Sequence, residues 1–115
     1  MPKWKFKKQI TMYIYSVTIQ IDKDAESAWL KYMQKTHINE VLATGYFTSC
    51  SIRKSVPEKS SVISVYNIEY VAKTEADYIS YEYEFAEELR DDVKKHFDGK
   101  FTVKRAFYEV ILDKK

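Results

Sequence analysis

The sequence predicts an α+β domain with the ferredoxin-like element order β-α-β-β-α-β, in which two helices cover one face of a four-stranded antiparallel sheet. Three observations lead to this prediction. Stretches with a period of two residues lie near both ends of the domain and in its middle. Two long stretches with helical periodicity separate them. With only two glycines and two prolines in 115 residues, the chain has few irregular loops.

The first half predicts a strand, a helix and a second strand. Residues 12–21 alternate as a strand, and Asp22 or Asp24 is expected to cap a helix over residues 25–42. Gly45 supplies the helix stop, and the second strand covers residues 46–54. The residues expected to face the helices from the first strand are Tyr13, Tyr15, Val17, Ile19 and Ile21.

The second half repeats the pattern as strand, helix and strand. Residues 61–72 alternate, and Thr74 with Asp77 resembles a capping box that opens a helix running to about Phe97. The apolar stripe expected on this helix consists of Tyr78, Phe85, Leu89, Val93 and Phe97. The last strand is expected to cover residues 101–112. Its residues expected to face the helices are Ala106, Tyr108, Val110 and Leu112.

Charge divides the chain into a basic extension over residues 1–11, expected to be flexible, and a single domain over residues 12–115. The extension carries Lys3, Lys5, Lys7 and Lys8 and no acid, whereas the whole chain has a net charge of only +2. The rest of the chain is therefore mildly acidic, which argues against nucleic acid as a partner. Met12 opens the first strand directly and is a candidate for the natural start.

Several classes of protein are not predicted. The extension lacks the long apolar segment of a signal peptide, and no stretch is apolar enough to cross a bilayer, so no membrane partner is expected. Cys50 is the only cysteine and suits a reducing compartment, so a cytoplasmic location is expected. No glycine-rich phosphate loop or nucleophile elbow occurs, and no cofactor is predicted.

Two helices cover only one face of the sheet, so the other face needs a partner. Its expected residues are too apolar for water and too charged for a dry core, which favours a homodimer that pairs the two sheets around a partly polar cavity. The predicted ligand-binding residues of this cavity are Asn67, Glu69, Arg105 and Phe107.

His37 and Glu40 are the candidate catalytic residues, because residues three apart on a helix are neighbours and an imidazole is the usual general base. A structural histidine, hydrogen-bonded near a helix end, is the alternative. The only other histidine, His96, lies far along the chain, so no metal site is predicted. Cys50 is expected to be a small buried apolar residue and not a nucleophile.

Three hypotheses about function follow. The first is a homodimer that binds a small molecule in the cavity beside the sheet. The second is an enzyme of the cofactor-independent oxygenase or isomerase type, in which His37 acts with Glu40 or Glu69. The third is a protein-interaction module. The enzyme hypothesis requires His37 to border a cavity.

The stretches MYIYSVTI and HINEVLATGYF, joined by a helix that contains tryptophan, resemble a family of small bacterial proteins of unknown function, frequent in Bacteroidetes-type organisms. The resemblance covers residues 12 to about 112. It implies a ferredoxin-like fold in a dimeric α/β barrel and no established reaction. Asn39 departs from the family's proline and leaves open whether the helix breaks after Ile38. The residues that match the family motif are Trp29, Met33, His37, Ile38, Val41, Leu42, Ala43, Thr44, Gly45 and Phe47.

Overall fold

A computed structural model of the chain describes residues 12–114, so the prediction of a flexible extension over residues 1–11 lies outside the described residues. Four strands form one sheet: β1 Tyr13–Asp22, β2 Ser49–Lys54, β3 Ile63–Ala72 and β4 Phe101–Glu109. Their order is β2-β3-β1-β4, and every neighbouring pair is antiparallel. The α+β, ferredoxin-like fold is therefore confirmed.

Each of the two helices contains a π-helical turn in its interior. The first helix consists of Glu26–Tyr32, the π turn Met33–His37, and Ile38–Ala43. The second consists of Glu75–Tyr81, the π turn Glu82–Ala86, and Glu87–Phe97. None of the helices in the described part of the chain is long and apolar enough to span a membrane.

The π turns explain an error in the predicted apolar stripe of the second helix. Phe85, predicted to face the sheet, is 37% exposed, whereas Tyr81 and Ala86 are buried. A π turn adds one residue to the helix, so the buried positions step by five there and not by three or four. Beyond the turn, Leu89 and Val93 are buried as predicted.

The helix ends are partly as predicted. Thr74 accepts a hydrogen bond from the Asp77 backbone N–H at 3.0 Å, which confirms the cap of the second helix. The first helix is different, because Ala25 occupies its N-cap position and no side chain caps it, so the prediction that an aspartate caps it is wrong. Gly45 has φ +84° and ends the helix as expected. The helix does not break after Ile38, since Ile38–Ala43 continue it. The Asn39 side-chain amide donates to the Lys35 carbonyl at 3.1 Å.

The last strand presents the opposite face from the one predicted. The register pairs Val17 with Arg105 and Tyr15 with Phe107, and since paired residues share a face, Arg105 and Phe107 face the helices. Ala106 and Tyr108 point to the open face. The second strand is shorter than predicted and begins at Ser49.

Candidate functional site

A cavity lies between the sheet and the two helices. The space open to the centre of a water molecule within it is about 50 Å³, several times the ~10–15 Å³ that one water requires. Its walls are aromatic and aliphatic, with three basic side chains among them. The aromatic and basic residues that line it are Tyr15, Tyr70, Tyr81, Phe101, His37, Arg90 and Arg105.

His37 reaches this cavity from the end of the π turn in the first helix. Burial lowers the pKa of His37 from its ordinary value near 6.5 to about 4. The charge of Asp92 opposes that shift, while the positive charges of Arg105 and Arg90 add to it. The imidazole is therefore neutral at physiological pH, and one ring nitrogen is free to accept a proton.

Arg90 lines the cavity from the second helix and is hydrogen-bonded to one tyrosine directly and linked to a second through a carboxylate. Its Nη2 donates to the Tyr15 hydroxyl oxygen at 2.8 Å and to the Glu82 carboxylate. The Tyr78 hydroxyl donates to the same carboxylate at 2.8 Å. The Nε–H of Arg90 is buried without a partner. Arg90 thus has a buried donor without a protein acceptor among the described residues.

The aromatic residues on the helix-side face form one packed cluster. The centroid of the Tyr15 ring lies 5.7 Å from that of Tyr70 and 6.0 Å from that of Tyr81. Phe47 packs against the rings of Tyr70 and Tyr81. Burial raises the pKa of the Tyr70 and Tyr81 hydroxyls above their ordinary range. They are hydrogen-bond donors at neutral pH and do not act as bases.

The structure separates His37 from Glu40. His37 lines the cavity, whereas Glu40 is exposed on the outer surface of the same helix. Among residues 12–114 the His37 ring has no hydrogen bond to Glu40 or to any other residue, which also argues against the alternative of a hydrogen-bonded structural histidine. The carboxylate whose charge acts on His37 is Asp92, on the other helix.

The four predicted ligand-binding residues lie on two different faces. Asn67 and Glu69 pair with Thr18 and Ser16 on the open face. Arg105 and Phe107 lie on the helix-covered face, because the face of β4 is the reverse of the predicted one. The structure therefore does not bring the four together. It brings Arg105 to the cavity that His37 borders, and Phe107 stacks on Tyr78, with centroids 4.0 Å apart.

On the open face, the polar side chains satisfy one another. The Asn67 amide donates to the Ser16 hydroxyl at 2.9 Å and to the Thr18 hydroxyl at 3.2 Å. Arg53 forms an ion pair with Glu69. Each of these groups already has a partner, which leaves few donors or acceptors for a ligand.

Cys50 and the possible metal ligands were also considered as sites. Burial raises the pKa of the Cys50 thiol to about 11, so the thiol is protonated at neutral pH. Within residues 12–114, no three His, Cys, Asp or Glu side chains come together to hold a metal ion. Sequence reasoning missed Tyr15 and Arg90. The available signal for Arg90 was an arginine next to the buried Leu89 in an otherwise acidic helix.

Solved structures of similar fold come from several organisms. A proposed antibiotic biosynthesis monooxygenase from Nitrosomonas europaea is 13% identical, with 92% of this chain and 96% of that chain covered and a TM-score of 0.67. A hydroxynitrile lyase from Passiflora edulis is 7% identical over 93% and 100% of the two chains, with a TM-score of 0.66. A dimeric ferredoxin-like protein from an uncultured marine organism is 13% identical over 90% and 98%, with a TM-score of 0.56. At these identities the likeness shows the fold alone.

Sequence comparison identifies the family. No curated protein matches the chain. Residues 12–111 match the model of the family described as Domain of unknown function (DUF4286). The match spans both strand-helix-strand halves and the whole cavity lining. The chain therefore belongs to the family of domain of unknown function DUF4286.

Proposed function

We propose that this chain binds a small carbonyl compound in the helix-side cavity and that His37 moves a proton on it. The observation that carries the proposal is the position of His37, a neutral imidazole on the wall of a largely apolar cavity that also holds two arginines. A mostly apolar cavity with a few converging polar groups and a strongly shifted pKa is the usual form of a small-molecule site.

The chemistry that suits these groups is an isomerase-type proton transfer without a cofactor. A C–H bond beside the carbonyl breaks, its electron pair stays on the substrate as an enolate, and the proton moves to a ring nitrogen of His37. The positive charges of Arg90 and Arg105 stabilise the enolate oxygen. The imidazolium then returns a proton to the enolate, so the step needs neither oxidant nor reductant.

The low pKa of His37 makes the arginines necessary to this mechanism. An imidazole whose pKa is about 4 is a weak base and does not by itself deprotonate a carbon acid. Stabilising the enolate lowers the pKa of the substrate C–H, and the negative charge of the enolate, lying beside His37, raises the pKa of the imidazole.

The monooxygenase and lyase descriptions of two fold neighbours belong to those proteins and do not support this proposal. The proposal rests on this cavity.

The test is hydrogen exchange in heavy water. Wild-type protein is incubated with pyruvate, and with the neutral diketone butane-2,3-dione, while the methyl protons of each compound are followed by NMR. We expect the protein to accelerate their exchange, and His37→Gln to lower that acceleration by roughly a hundredfold or more. His96→Gln is the matched control, since His96 is exposed and lies outside the cavity. No acceleration by wild-type protein, or equal rates for His37→Gln and wild type, would overturn the proposal.

The partner we propose for the open face is a second copy of the chain. Ile14, Val65, Val71 and Ala106 lie there beside the hydrogen-bonded Asn67. Four strands about 4.8 Å apart with about nine residues each give a face of roughly 19 by 30 Å. Its projected area of about 600 Å² approaches the ~800 Å² of surface that each partner of a standard interface buries. Pairing two such faces would close a barrel with the helices outside.

Light scattering at micromolar concentration tests the dimer. We expect twice the chain mass for wild-type protein and a single chain mass for Val71→Arg, which places a charge on the open face near the end of the inner strand β3. Ile79→Arg, on the exposed side of the second helix, is expected to remain dimeric. A monomeric mass for the wild-type protein contradicts the dimer and leaves the proposal for the cavity standing.

A further inference from the structure

The charged side chains that line the helix-side cavity are all cationic within the part of the chain that the structure describes. They are Arg90 and Arg105, which approach from the second helix and from the edge strand β4. Glu82 pairs with Arg90, and Asp92 acts on His37 only through its charge, but neither carboxylate lines the cavity. The cavity wall therefore carries two positive charges and no acid, and Glu82 balances that of Arg90 from outside the lining.

Arg90 also has an unused donor. Its Nη2 is held by the Tyr15 hydroxyl and the Glu82 carboxylate, which fixes the plane of the guanidinium. The buried Nε–H has no acceptor among residues 12–114. A buried donor on a charged group without a partner is unfavourable, and protein interiors normally supply one. The Nε–H of Arg90 is therefore a donor available to a molecule that enters the cavity.

We infer that the ligand of this cavity is a small organic anion, with one anionic oxygen accepting the Arg90 Nε–H and its charge balanced by Arg105. This inference rests on the proposed function for the carbonyl chemistry, but it concerns the ligand's charge, which binding alone can establish. A hydrogen bond between a guanidinium and an anionic oxygen is stronger than one to a neutral oxygen. The cavity therefore discriminates a carboxylate from a neutral compound of the same shape.

The dimensions of the cavity limit the size of that anion. With about 50 Å³ open to water centres, the cavity holds a compound of only a few non-hydrogen atoms unless side chains move. Much of its wall is aliphatic, including Val17, Ile19 and Ile68, which favours a ligand with a single charged end. Short-chain 2-oxo acids and similar monocarboxylates fit both limits.

Pyruvate and butane-2,3-dione test the inference as a matched pair, because they have the same number of non-hydrogen atoms and only pyruvate is charged. We expect pyruvate to bind at least roughly tenfold more tightly when binding is followed by NMR titration. The side-chain Nε–H signal of Arg90 in wild-type protein should move on addition of pyruvate and stay in place with the diketone. This readout requires no substitution and so does not depend on the folding of a variant.

Variants separate the role of Nε–H from that of charge. Arg90→Lys keeps the charge and loses the Nε–H, and we expect it to lower the preference for pyruvate over the diketone without removing it. Arg105→Gln should weaken pyruvate binding more than diketone binding. Lys94→Gln, one turn along the second helix and exposed, is the matched control and should bind both compounds as wild type does.

The outcomes distinguish this inference from the proposed function. Pyruvate binding that shifts the Arg90 signal without hydrogen exchange supports the anion site and removes the catalytic proposal. Exchange on both compounds at equal affinity, with the Arg90 signal unmoved, keeps the proposed function and overturns the anion site. Binding of neither compound, or equal affinity for both, also overturns the inference.

Discussion

The two faces of the same sheet use their polar side chains in opposite ways. On the open face Asn67 donates to Ser16 and Thr18, so its polar groups are satisfied although they are only partly buried. On the helix-covered face the His37 ring has no hydrogen bond within the described residues, and the Arg90 Nε–H is buried without an acceptor. Protein interiors rarely leave such groups unpaired unless they have a use. This difference supports the two proposals made above, a second copy of the chain on the open face and a ligand in the cavity of the covered face.

Replacing Ile68 by alanine should produce the largest effect. Ile68 is 1% exposed and sits in β3 on the covered face. Removing its side chain leaves a cavity beside the site, and we expect a loss of about 2–5 kcal/mol in the free energy of unfolding, measured by urea denaturation. Ile79→Ala is the matched control, since Ile79 is 55% exposed, and its effect should stay within about 0.5 kcal/mol. Equal losses for the two variants would contradict the assignment of faces.

His37 should make stability depend on pH in the acidic range. Its folded pKa of about 4 lies below its unfolded value near 6.5, so between these two values the unfolded chain binds a proton that the native protein does not. Stability is therefore lost as the pH falls from about 6.5 to about 4, by on the order of 2–3 kcal/mol. Urea denaturation across this range should show a flatter profile for His37→Gln. Identical profiles for the variant and wild type would show that His37 is solvated.

Asn67→Ala tests the satisfied network of the open face. It leaves the hydroxyls of Ser16 and Thr18 without their shared donor, and we expect the free energy of unfolding to fall by about 1–2 kcal/mol. Denaturation at two protein concentrations adds information, because a dimer through this face makes the loss depend on concentration. Asn39→Ala, which removes an exposed amide from the first helix, is the control with little expected effect. A loss below that of the control would contradict the importance of the network.

The smallest effect is expected from Glu69→Gln, which removes the ion pair with Arg53 on the open face. Exposed ion pairs contribute about 0–1 kcal/mol and are screened by salt, so denaturation curves of this variant should nearly overlay those of wild type. A larger loss that disappears on dilution would place the pair inside an interface and sharpen the case for a dimer.

The order of elements followed from alternation and helical spacing. The sequence did not show which residues of β4 and of the second helix face the core. In β4 both sets of alternating residues are apolar enough to be chosen, since Val103 and Phe107 compete with Ala106 and Tyr108. An edge strand with partial burial on both faces gives no clear contrast, and only pairing with β1 decides the register. In the second helix, the π turn adds one residue, so Phe85 is exposed at a position where a regular spacing of three or four predicts burial.

Part of the candidate site was nevertheless visible in the sequence. His37 was selected because an imidazole is the usual general base, and the structure brings it to the cavity. Glu40, predicted to act beside His37, is exposed and does not line the cavity, since three residues along this helix lead from the cavity wall to the outer surface. Tyr15, Arg90 and Arg105 come from three separate elements, and only the packed fold brings them together.

A methyl NMR map of pyruvate binding tests the central claim most directly, because alternate residues of the same strands report the two faces. We predict that pyruvate moves the methyl signals of Val17, Ile19 and Ile68, which line the helix-side cavity, and leaves those of Thr18, Val65 and Val71 on the open face unchanged. Movement confined to the open-face methyls, or no movement at all, would contradict the claim that the covered face holds the ligand site.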